Sequence, residues 1–477
     1  MRNGRTVFGV VIGTRGCFNS RLASAGRTSL LGKLEQLGYE AVILPVEATP
    51  TGAVEGRPDG QKCARLFREH RDEIDGIVVA LPNFGDELGV VHAVKGAALE
   101  VPVLLQASDD HLDRLSTAER RDAFCGKISV ANNFYQYGIH FTDTSFHSYD
   151  IESDLMSADL RRFEQVCRVH NGLRNARIGA IGARPGDFQT MRVSEKLLQA
   201  AGITVVTCDL SEILGAAGRL DGGAAAVVAK IKAIRDYGRV AAEAVPDHVV
   251  RQAKLGVALD EWIARNEVQA AGIQCWTSVQ QNYGCATCLS MSMLGDALVP
   301  CACETDVAGV ISMYALTLAT GNASALLDWN NNYAQDRGKC VCTHCSNFPR
   351  SFVFGKGSPE KLEISYLDVL GTTLGHDNCF GAVKGKVRAG DMTFLRISTD
   401  DVHGRIKAYL GQGEFTDDPF SMSGGIAVCQ VPELPGLLRY IIKNGFEHHV
   451  GMVRGHCAGV IEEVLDNYFG WALHRHA

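Results

Sequence analysis

No apolar run in this sequence approaches the length of a membrane span, which argues against a membrane protein. There is also no long run of one charge sign. The 47 basic and 54 acidic residues are interspersed and leave a net charge of −7, an unsuitable pattern for gripping a nucleic-acid backbone. Internal repeats and low-complexity segments are missing. The glycines at 9, 13 and 16 do not make a G-x-G-x-x-G turn, and no acid about twenty residues on completes a dinucleotide site. What is present is ordinary for a globular protein: 46% hydrophobic and 21% charged residues in a chain of 477, enough for two or three domains.

Arg2 and Arg5 ahead of apolar Val7 to Ile12, with Ala23-Ser24-Ala25 beyond, mimic a secretory leader. Arg15, Asn19 and Arg21 interrupt the pattern, so a first buried strand and a cytoplasmic protein are expected. The sixteen cysteines are scattered too widely for a disulfide scaffold. Several (Cys167, Cys208, Cys275, Cys429) stand in apolar segments, where a free thiol behaves as a small hydrophobe. They are expected to be reduced.

Short apolar strands alternate with helical stretches over residues 1–172: Val7–Gly13, Ala41–Leu44, Gly76–Leu81 and Val101–Gln106, with a helix over Leu22–Leu37. That alternation predicts a parallel sheet with helices on its faces, whose ligands meet the loops after the strands. Those loops hold Arg15, Asn83 and Ser108 to Asp110. A second such domain is predicted over 173–325, from strands Arg177–Ile181, Thr204–Cys208 and Gly272–Trp276 and a helix over His248–Ala264. Residues 326–477 read as a β-rich third domain, with glycine-punctuated strands over Phe380–Ile397, Gly404–Leu410 and Gly424–Val431 and a closing helix over Ala458–Tyr468.

The stretch from Cys301 to Trp329 carries the chemistry. Asp306 is a good N-cap for an apolar helix over Val307–Thr320, and Gly321-Asn322 is a stop signal. Such a helix carries the chain about 21 Å away at about 1.5 Å per residue. Seven extended residues to Asp328 return it about 23 Å at about 3.3 Å each. Glu304 and Asp328 can therefore lie together, and two adjacent carboxylates need a cation or a shared proton between them. A hard divalent metal suits them. The bland alternative, a plain cap and two surface charges, is weakened by the apolar neighbours Val299, Cys303, Leu326 and Leu327.

Two further clusters stand out. Residues 444–456 hold His448, His449 and His456 in a glycine-rich stretch, a composition that favours a ligand or acid–base site. The pairs Cys285/Cys288 and Cys342/Cys345 are each C-x-x-C, which raises a structural zinc or iron–sulfur site. The gap between the pairs is far longer than the roughly 15 to 20 residues of a zinc ribbon, so packed thiols are preferred.

Cys303-Glu-Thr-Asp-Val-Ala-Gly309, Asp328 placed 24 positions after Glu304, and His449 seven residues before His456 resemble the L-fucose/L-arabinose isomerase superfamily. Residues 178–189, Asp209 to Ile213 and Tyr468 to Trp471 extend the resemblance to nearly the whole chain. It implies two Rossmann-like α/β domains with parallel sheets, followed by a β-rich C-terminal domain, and metal-dependent aldose–ketose isomerisation through an enediolate. Glu304, Asp328 and His449 would be the metal ligands, with Mn²⁺ as the cofactor and Mg²⁺ or Co²⁺ as substitutes. Glu304 and Asp328 would also move the proton. His344 would be a fourth ligand or a sugar contact, and Arg15, Asn83 and Trp276 would be sugar contacts. The substrate would be a free or C6-modified sugar of the L-fucose, D-arabinose or sulfoquinovose type. The assembly would be a homotrimer or homohexamer with its active site near a subunit interface. The chain is shorter than typical fucose isomerases, and its cysteine-rich segment around His344 is unlike theirs. A non-catalytic sugar-binding protein and a cysteine-ligated zinc or iron–sulfur protein are the rival readings.

Overall fold

Parallel strand order organises the first part of the chain, as the alternation of apolar segments predicts. The computed structural model describes residues 5–345 and 347–476; Arg2 of the leader-like pattern and Ser346 of the cysteine-rich segment lie outside them. The chain divides into two compact units. The first runs to Asn171 and takes back Glu463–Gly470. It is built on β1 (Val7–Ile12), β2 (Glu40–Ile43), β3 (Gly76–Leu81), β4 (Val103–Ala107) and β5 (Thr142–Asp143), in the order β2-β1-β3-β4-β5. Every neighbouring pair is parallel. All of β3 and β4 is buried, as expected for strands covered on both faces. Strand β4 starts after Pro102 rather than at Val101, because proline has no N–H for the ladder.

The second unit comprises Gly172–Glu462 and resumes at Trp471. Its strands begin with β6 (Arg177–Ile181), β7 (Thr204–Cys208), β8 (Gly238–Val240), β9 (Ala270–Ile273) and β10 (Cys301–Ala302). Four of them form a parallel sheet in the order β10-β9-β6-β7. The remaining strands are β11 (Ser324–Tyr333), β12 (Asp336–His344), β13 (Leu362–Tyr366), β14 (Phe380–Lys386), β15 (Gly390–Asp400), β16 (Arg405–Thr416), β17 (Gly425–Gln430), β18 (His449–Arg454) and β19 (Ala472–Arg475). With β8 they make one ten-stranded mixed sheet. An extra antiparallel pairing of β16 with β17 closes β16-β15-β18-β11-β12-β17 on itself. Phe394, Tyr409, Leu327, Cys342, Ala427 and Met452 belong to one buried cluster of this region. Closure removes free edges that open strands would expose. Cys340 and Cys342 of the cysteine-rich segment stand in strand β12 of this closed array, and Cys345 follows it. The closing helix is α-helical only over Ala458–Glu462 and widens to a π turn over Glu463–Tyr468.

Candidate active site

Strand β10 delivers Cys303-Glu304-Thr305 as a tight turn in which Glu304 and Thr305 both take φ of 54°. Left-handed backbone costs a non-glycine residue roughly 1 to 2 kcal/mol, so the surroundings must hold it. Trp276 Nε1 donates to Glu304 Oε1 at 2.9 Å, and Cys275 Sγ reaches the same oxygen at 3.4 Å. Gly272 on β9 allows the close approach: a Cβ there would lie 2.8 Å from the Thr305 carbonyl carbon. Asp306 then caps the helix Val307–Thr320 by accepting from Gly309 N–H at 2.8 Å, and Gly321 ends it with φ of 66°.

Strand β11 returns the chain. Its Asp328 stands opposite His449 on β18 and opposite Thr343 on β12, next to His344. The result is a ring of alternating carboxylate oxygens and imidazole nitrogens. Glu304 Oε2 lies 3.7 Å from both His344 Nε2 and His449 Nε2. Asp328 Oδ1 lies 3.9 Å from His344 Nε2 and 3.4 Å from His449 Nε2. Among the described residues, Glu304 Oε2, Asp328 Oδ1 and His344 Nε2 are buried with no hydrogen-bond partner. Buried polar atoms are nearly always partnered, so three orphans facing one point mark a place for something else. Donors around one cation at about 2.0 to 2.2 Å would sit roughly 3 to 3.5 Å apart, close to these spacings. The residues fit a divalent metal.

A buried network stands behind the ring. His449 Nδ1 donates to Asp306 Oδ2 at 2.8 Å, which leaves the Nε2 lone pair facing Glu304 and Asp328. Arg396 grips Asp306 at 2.5 and 3.1 Å and donates to Glu447 at 3.0 Å, and Ser398 donates to the other Glu447 oxygen at 2.7 Å. Burial alone would raise the Asp306 carboxyl, but Arg396 and then His449 hold it well below the carboxylate range. Glu304 has no such cation: burial, with the Cys345 thiol beside it, pushes its carboxyl up. Burial alone would lower His344, but Cys345 and Asp328 outweigh it and raise the imidazole.

Among the residues predicted from sequence, Glu304, Asp328, His344, His449 and Trp276 come together in the second unit. His448 is half-exposed with Nε2 3.9 Å from Asp328, whereas His456 is exposed and 3.8 Å from Asp391. Arg15 and Asn83 lie in the first unit. Arg15 pairs with Glu87 at 3.0 Å and stacks over Phe84. Asn83 is buried, donates to Thr14 Oγ1 at 3.0 Å and accepts from Gly85 N–H at 3.2 Å. Asp306 is readable from sequence only as a cap, and Arg396 and Glu447 are missed. The signal for Arg396 is a lone charge inside the apolar run Phe394-Leu395-Arg396-Ile397, which needs a buried partner.

The family model for the fucose/sulfoquinovose isomerase N-terminal domain matches residues 9–174, and that for the L-fucose isomerase C-terminal domain matches residues 342–476. Together they cover more than half of the chain, which belongs to the fucose-isomerase-like superfamily. Trp276, Glu304 and Asp328 fall between the two matched regions. A sulfoquinovose isomerase of Priestia megaterium is 24% identical over 306 residues, 62% of this chain and 64% of the relative. One from a Clostridium species is 27% identical over 175 residues, covering 36% of this chain and 38% of its own. The matched segments thus span less than two thirds of these relatives. A solved ABC transporter solute-binding protein from Burkholderia multivorans covers 67% of this chain and 95% of its own at 10% identity, with a TM-score of 0.19. That value is too low to carry an argument. Among the described residues no helix is long and apolar enough to cross a membrane.

Proposed function

We propose that this chain is an aldose–ketose isomerase acting on a free or C6-modified sugar of the fucose or sulfoquinovose type. The observation that carries the reading is the set of orphaned atoms, Glu304 Oε2, Asp328 Oδ1 and His344 Nε2, beside a histidine whose free nitrogen is fixed by Asp306. Glu304, Asp328 and His449 would hold one divalent cation, with Mn²⁺ the first choice for an oxygen-rich site with an imidazole. When bound, such a cation supplies Lewis acidity towards the sugar oxygens that exchange carbonyl and hydroxyl character.

The protein's own groups supply the proton transfer. Trp276 and Cys275 fix one Glu304 oxygen and leave the other turned to the site, poised to move a proton between C1 and C2. Asp328, more exposed than Glu304, is the second carboxylate of the pair. His344 Nδ1 accepts the Cys345 N–H at 2.9 Å, and its Nε2 faces Glu304 and Asp328. There it would be a fourth ligand, grouped with Glu304 and His449, or a sugar contact.

The test is ketose formation from a panel of aldoses, including L-fucose, D-arabinose and sulfoquinovose, after chelation and after return of Mn²⁺. Turnover should vanish with chelation and return with Mn²⁺ better than with Zn²⁺. In deuterated water, the ketose should carry solvent deuterium at C1. Full turnover by metal-free protein, or no turnover on any aldose, would overturn the reading.

A further inference from the structure

Glu304 has a second face, and it is lined by sulfur. Cys303 Sγ lies 3.7 Å from Cys345 Sγ. The sulfurs of Cys275, Cys303 and Cys345 and a Glu304 carboxylate oxygen all lie within 4.8 Å of one another. Cys288, in the first turn of the helix Cys288–Asp296, lies beside the group, its Sγ 3.9 Å from the Cys345 carbonyl oxygen. Cys275, Cys288, Cys303 and Cys345 come from four separate segments: the end of β9, that helix, the end of β10 and the end of β12. The first three are buried and Cys345 is partly so. Cys303 Sγ faces Cys345 Sγ, while Cys275 Sγ reaches Glu304 Oε1 at 3.4 Å and Cys288 Sγ faces the Cys345 carbonyl. Sulfurs gathered this closely from separate segments are placed to share one soft cation.

We infer that Cys275, Cys288, Cys303 and Cys345 form a tetrathiolate site for a single soft divalent cation, with Zn²⁺ its natural occupant. Zinc–sulfur bonds of about 2.3 Å in a tetrahedron put neighbouring sulfurs about 3.8 Å apart, which matches the Cys303–Cys345 separation. A polynuclear iron–sulfur cluster would hold its cysteine sulfurs farther apart. Zn²⁺ enters as the four thiols become thiolates and give their protons to solvent. No oxidant is needed.

The ligand positions say what the site does. Cys275 precedes Trp276, Cys303 precedes Glu304, and Cys345 follows His344. A cation there ties down the three segments that carry these side chains, including the left-handed turn at Glu304 and Thr305. The cysteines are thus positioning residues. The C-x-x-C pairs are not used as pairs: each contributes one thiol, while Cys342 packs in the cluster of the closed sheet and Cys285 has Arg251 and Cys379 for neighbours.

This site stands without the isomerase reading, because its test needs no substrate. The full chain, produced with zinc and reductant, is treated with EDTA and its metals are measured. A single zinc per chain should remain and be released by a mercurial thiol reagent. Cobalt-substituted protein should show a thiolate-to-cobalt charge-transfer band and intense tetrahedral d–d bands. Cys288→Ser should lose the zinc and these bands, whereas Cys285→Ser should keep both. If Cys288→Ser fails to fold, the wild-type cobalt spectrum decides. Zinc-free protein without those bands, a Cys303–Cys345 disulfide found by peptide mapping, or retention of zinc by folded Cys288→Ser would each overturn the assignment.

Discussion

Glu304 and Asp306 are two residues apart, both buried, and their environments are opposite. Asp306 is saturated: Gly309 N–H, two Arg396 nitrogens and His449 Nδ1 all donate to it. Arg396 is likewise shared with Glu447, whose second oxygen takes Ser398. Glu304 is partnered on one oxygen and bare on the other, facing the bare atoms of Asp328 and His344. Burial and charge alone therefore do not mark a working site. A complete hydrogen-bond set marks the support, and convergent unmade bonds mark the place where chemistry is expected.

The comparison is broken most severely at its bare side. Glu304→Gln should lower kcat by about 10³-fold or more, since the amide cannot take a proton. The same change should raise the thermal midpoint of the metal-free protein, because it removes a carboxylate that burial disfavours. A variant that turns over sugar near the wild-type rate would mean that Glu304 is as passive as Asp306.

Breaking the saturated side should cost fold rather than chemistry. Arg396→Met leaves Asp306 and Glu447 buried without their cation and should cost about 3 to 5 kcal/mol in denaturant unfolding. The pH dependence gives the sign. Asp306 is depressed in the folded protein, so its stabilising contribution is complete above the ordinary aspartate pKa of about 3.9 and is lost as pH falls below it. Wild type and Arg396→Met should therefore converge in stability in acid and diverge towards neutrality. A constant gap across that range would deny Asp306 its role.

A smaller effect joins the two sides. Asp306→Asn keeps the shape but weakens the hold on the His449 tautomer, and should weaken Mn²⁺ binding about 10- to 100-fold by titration. Unchanged affinity would separate the support from the site. The smallest effect belongs to a pair that is only half-buried: Arg15→Ala breaks the contact with Glu87 and should cost about 1 kcal/mol or less in stability.

The sequence by itself determined the features governed by neighbours along the chain. Asp306 and Gly321 bound the helix Val307–Thr320 at the predicted residues, because caps and stops act within one turn. The strands Gly76–Leu81, Arg177–Ile181 and Thr204–Cys208 also fall where their apolar runs place them. Simple reach, out along a helix and back along a strand, was enough to bring Glu304 and Asp328 together. Only the tertiary structure decided which polar atoms were satisfied. Arg396 reaches Asp306 from 90 residues away, and the β11–β18 register sets His449 opposite Asp328. The C-x-x-C spacing could not show which thiols approach one another: Cys303 Sγ meets Cys345 Sγ, 42 residues along the chain, only after the sheets have formed. Hydrogen-bond completion is a three-dimensional property: the same loop logic that selected Arg15 and Asn83 could not show that Glu87, Thr14 and Gly85 already partner them.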